Sequence, residues 1–89
     1  MFTLDQLQHA IDLLHQIEGF PVVAITTTHA IRRDIIRMMN DGDAANRGPS
    51  DVRIFADQRC EPNHIELETV AAIYRLEFPE PTFTKMRHK

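Results

Sequence analysis

Residues 20–41 read FPVVAITTTHAIRRDIIRMMND, and the fold turns on how this stretch is divided. Val22, Val23 and Ile25 form a β-branched run behind Pro21, the composition of a short buried strand. Proline suits the entrance, because the first residue of a strand tolerates a missing N–H. The hydroxyl of Thr27 or Thr28 can then cap a helix running from about His29 to Asn40. Gly42 stands where a left-handed residue would end that helix.

At about 100° per residue, Ile31, Ile35, Met38 and Met39 share one helix face and Ile36 widens it. Arg33, Arg37 and Asn40 fall opposite. Arg32 projects inside the apolar arc. It either lays its stem over apolar surface with its head in water or anchors an interface, where arginine is enriched.

On the amino-terminal side, Thr3 with Gln6 three residues on is a capping box. It predicts a first helix from Leu4 to about Glu18, stopped by Gly19. Leu4, Leu7, Ile11 and Leu14 form its apolar face, with Ala10 and Ile17 alongside. His9 lies within helical reach of Asp5 and Asp12, a solvated polar face with weak pairing.

On the carboxyl side, residues 40–51 carry loop chemistry. Asp41 and Asp43 open like a calcium loop, but the glycine and terminal glutamate such a loop requires are missing at their offsets. Residues 52–57, VRIFAD, alternate as a strand. They also fit a turn of helix, and the β-branched and aromatic content favours the strand. Asn63 and Glu66 form a second capping signature, from which a third helix is expected over 64–78. Its two apolar faces mark it as sandwiched or as carrying an interface. Ile65 to Glu68 also alternates as a strand would. Residues 79–89 are expected to be a flexible basic tail.

The expected fold is α+β: a single small domain over 1–78, ordered helix–strand–helix–strand–helix with a small sheet. The alternative is mostly α and helix-turn-helix-like.

The chain has 89 residues and net charge −3, with ten basic and thirteen acidic side chains. A chain this short buries a modest core, which makes a homodimer a reasonable expectation. Residues 1–78 hold seven basic and twelve acidic side chains; residues 79–89 hold three basic and one acidic. An acidic body disfavours broad nucleic-acid binding, which runs on phosphate neutralisation. No apolar run approaches the roughly 18–20 residues of a membrane span. The amino terminus lacks a basic, signal-like segment, and Cys60 is the single cysteine. A reducing cytoplasm is the expected location.

No catalytic, metal or cofactor motif stands out, and an enzyme is not expected. The favoured reading is a non-enzymatic protein-binding module, an adaptor, regulator or inhibitor of the kind met among phage and mobile-element proteins. Its expected interface residues are Arg32, Arg33, Ile36, Arg37, Met39 and Ile73, facing another protein of unknown identity. The alternative is a helix-turn-helix DNA binder using Thr28, His29, Arg32 and Arg33.

A third reading is a small enzyme or an anion site. If the two strands are parallel and joined through the arginine-bearing helix, their carboxyl ends meet, where ligands bind in open α/β sheets. Thr26, Thr27, Thr28 and His29 would come from one end. Asp57, Arg59, Cys60 and His64 would come from the other. Cys60-x-x-x-His64 offers two zinc ligands where a structural site uses four, so no metal is assigned.

Overall fold

The computed structural model describes residues 2–41 and 52–88. They form a small α+β domain of two helices and a five-stranded mixed sheet. Helix α1 spans Leu4–Glu18, β1 Ala24–Thr27, α2 His29–Asp41, β2 Arg53–Ala56, β3 Ile65–Glu68, β4 Ala72–Glu77 and β5 Thr82–His88. The strand order is β2-β1-β3-β4-β5. β1 and β2 are parallel and joined through α2; the other neighbours are antiparallel.

Local chemistry sets the helix ends. Gln6 N–H donates to Thr3 Oγ1 at 3.1 Å, and Thr3 N–H donates to Gln6 Oε1 at 2.7 Å, closing the capping box. Gly19, at φ 81°, ends α1 by donating its N–H to His15 O at 2.8 Å. Ile31 N–H donates to Thr28 Oγ1 at 3.1 Å, so Thr28 caps α2. The expected stop at Gly42 and the loop beyond it, 42–51, lie outside the described residues.

Alternation along the strands sorts the sheet into two faces. Ile25, Thr27, Ile65, Leu67, Ala72, Tyr74 and Leu76 are buried on the helix side. The apolar ones join Leu7, Leu14, Ile31 and Ile35 of the helices in one core. Each large apolar side chain so buried contributes about 1.5–3 kcal/mol. Thr26, Arg53, Phe55, Glu66, Glu68, Ile73, Arg75 and Glu77 alternate to the other face, which no helix covers among the described residues. A mainly antiparallel sheet with one largely solvated face reads this way, Ile73 being the buried exception on it.

Four expectations are corrected. Residues 64–78 are not a helix but the β3–β4 hairpin. Ile65–Glu68 buries every second residue, which suits a strand with one wet face. The turn has no glycine, proline or asparagine to announce it; Thr69 closes it instead. Its hydroxyl donates to Ala72 O at 3.2 Å and accepts from Ala71 N–H and Ala72 N–H at 3.2 and 3.1 Å.

Residues 82–88 are not a tail but β5, paired along β4. The mostly α, helix-turn-helix-like alternative for the fold also fails. Between α1 and α2 the chain enters the sheet as β1, flanked by β2 and β3, and β-branched side chains fit that pleated surface. Ile17, placed on the apolar face of α1, is 61% exposed.

Candidate functional site

The connection from β2 to β3 must pass the carboxyl end of β1, because β1 lies between them. Residues 57–64 make that crossing, and backbone bonds pin them at several points. Asp57 N–H donates to Thr27 O at 2.9 Å, Cys60 N–H to Asp57 O at 3.1 Å and His64 N–H to Glu61 O at 3.0 Å. The Thr27 hydroxyl, fully buried, donates to His64 O at 2.6 Å. Asn63 takes a left-handed conformation at φ 65°, which asparagine tolerates better than most residues. The segment is therefore held on both sides of Cys60.

This pinning creates a cleft of about 420 Å³ lined by Asp57, Arg59, Cys60, Glu61, His64, Glu66 and Arg75. The ligand atoms of Cys60, His64 and Glu66 all lie within 4.8 Å of one another, and all three residues are half-buried. His64 Nε2 sits 2.8 Å from Glu66 Oε2. His64 leads directly into β3, and its contact with Glu66 sets the two side chains on one face.

The charges around the cleft are unevenly committed. Arg59 reaches back to Asp57, with Nη2–Oδ2 at 3.2 Å and Nε–Oδ1 at 3.3 Å. That hydrogen bond holds the Asp57 carboxyl below its usual range, and the Arg59 backbone N–H and the nearby His29 add to it. Arg75 pairs with Glu77 at 3.5 Å. Burial pushes the Cys60 thiol up, the charges of Glu66 and Asp57 push it further, and the Arg59 charge opposes them without cancelling the rise. Both arginines thus have carboxylate partners, and the field at the thiol is negative. Such a field opposes a thiolate nucleophile, which needs a positive neighbourhood, and favours a cation shared among the donors.

The distances suit a transition-metal ion. Tetrahedral zinc has bonds of about 2.0–2.3 Å to N, O and S, which sets its ligands about 3.3–3.8 Å apart. The His64–Glu66 pair would open by about half an ångström, and the separations to the Cys60 sulfur, about 3.5 Å in such a site, close by about 1.3 Å at most. Three protein ligands leave a fourth position for water or another donor.

The expected interface residues divide between the two layers. Arg32 donates Nε–H to Ile54 O at 3.1 Å, tying α2 to β2. Arg33 and Arg37 are exposed, Ile36 is half-buried, and Met39 packs against the core. Ile73 is buried on β4, on the far face of the sheet. Of the residues in the DNA alternative, Thr28 serves as a cap and His29 is exposed near Asp57. The parallel pairing does bring Thr27, His29, Asp57, Cys60 and His64 to one end of the sheet.

Glu66 was missed. On a helix, residues two apart diverge by about 200°, so a helix over 64–78 separates Glu66 from His64. The alternation Ile65-Glu66-Leu67-Glu68 was the signal that could have found it.

No family model, curated protein or solved structure matches this chain. Among the described residues, no helix is long and apolar enough to cross a membrane.

Proposed function

We propose that the chain is a small non-enzymatic domain that binds one divalent transition-metal ion, zinc by its chemistry, at the carboxyl ends of β1 and β2. Cys60 supplies a thiolate, His64 a ring nitrogen and Glu66 a carboxylate oxygen. The observation that carries this reading is the convergence of those three donors within 4.8 Å on a pinned segment. Thiolate, imidazole and carboxylate together select zinc over magnesium or calcium, which prefer all-oxygen sites. A free thiol kept for a metal suits a reducing cytoplasm.

Equilibrium dialysis of the metal-free protein against zinc tests it. One zinc retained per chain, lost in both Cys60→Ser and His64→Ala, supports the site. Retention unchanged in both variants would overturn it.

A second reading is a protein-contact module. One observation favours it: β5 is a basic strand at the edge of the sheet.

A further inference from the structure

We propose that the outer edge of β5 takes an extended acidic segment of a partner protein as a sixth strand. This rests on the protein-contact reading and is independent of the metal site. β5 is the longest strand, seven residues, and it lies at the end of the sheet. All of it is exposed except Phe83, which is half-buried against the core. An edge strand of this length presents a row of backbone donors and acceptors to a further strand.

The two edges are not equivalent. β2 has four residues, and Arg32 of α2 already donates to its Ile54 carbonyl. β5 has no such cover among the described residues.

Its charge names the occupant. Thr82–His88 holds Lys85, Arg87 and His88 and no acid. Lys85 Nζ sits 5.7 Å from the centre of the Tyr74 ring, on the helix side. Arg87 pairs with Ile73, whose side chain belongs to the other face. Cations therefore flank the edge on both faces, and an incoming strand meets them whichever way its side chains alternate. The register shift between Ile73 and Tyr74 leaves Met86 without an opposite residue on β4. Met86 is 48% exposed and offers one adaptable apolar contact.

A second copy of β5 is the wrong occupant, because antiparallel pairing would set these cations against one another. Charges on edge strands commonly block self-pairing. Here they also complement an acidic strand.

The test is fluorescence anisotropy of a labelled peptide alternating glutamate and valine, titrated with the full chain. Saturable binding is expected to weaken about tenfold in the Lys85→Glu/Arg87→Glu variant. It should vanish when alternate peptide nitrogens are methylated on the side facing β5. N-methylation leaves the protein untouched, so this arm holds even if the double variant folds poorly. No saturable binding, or binding indifferent to N-methylation, would overturn strand addition. A concentration-dependent dimer in sedimentation that excludes the peptide would assign the edge to a second copy and also overturn it.

Discussion

Zinc should raise the melting temperature, and Cys60→Ala should remove most of the rise. Four-ligand zinc sites bind with about 10–16 kcal/mol, or about 2.5–4 kcal/mol per ligand. Three ligands then give about 7.5–12 kcal/mol, a Kd between about 3 μM and 2 nM. Near the weak end, with Kd about 1 μM, free zinc at about 100 μM stabilises the fold by about 2.7 kcal/mol. A domain of this size gains about 4–8 °C per kcal/mol, so the rise is about 11–22 °C. Losing one ligand weakens binding about 100-fold and leaves about 0.4 kcal/mol, or about 2–3 °C. The assay is thermal unfolding by circular dichroism, with zinc or with a chelator, on both proteins. A wild-type rise under about 3 °C, or equal rises in the two proteins, would refute the assignment of Cys60 as a ligand.

The buried Thr27 hydroxyl holds the His64 carbonyl at 2.6 Å. Thr27→Val keeps the shape and removes that donor, so it should cost about 1–3 kcal/mol in urea unfolding; a cost near zero would show that the bond does not hold the segment. Zinc affinity should rise with pH near neutrality, because the Cys60 proton must leave and burial, Glu66 and Asp57 hold it on. A flat profile in calorimetric titration would exclude the thiolate. Burial pushes the Tyr74 phenol up from 10.0, with Glu18 beside it adding to the effect. A raised folded pKa gives stability that is complete below the unfolded value and lost as pH rises through the folded one. The melting temperature should therefore fall more steeply above about pH 10 in the wild type than in Tyr74→Phe; parallel curves would contradict that.

Where local chemistry is self-sufficient, the sequence is legible. Thr3, Gln6 and Gly19 place α1 because a cap is made by residues close in the chain. The β-branched run in 20–41 places β1 within two residues, and Thr28 starts α2. Its limits appear at 64–78. There the turn is closed by a threonine hydroxyl rather than by a glycine, and the apolar residues fit both periods. Read as a helix, that stretch puts residues two apart on different faces, so the spacing points to Cys60 and His64 but not to Glu66. β5 is illegible for a related reason. A short basic segment headed by two prolines looks like a tail until β4 is present to pair with it.

The most direct measurement is the optical spectrum of the protein titrated with cobalt(II), which occupies zinc sites and reports its ligands. The account predicts strong visible bands of four-coordinate cobalt and a sulfur-to-cobalt charge-transfer band. Both should saturate at one ion per chain and disappear on addition of zinc. The charge-transfer band should be missing from Cys60→Ser. A weak six-coordinate spectrum, unchanged from cobalt in buffer and identical in wild type and Cys60→Ser, would contradict the metal site.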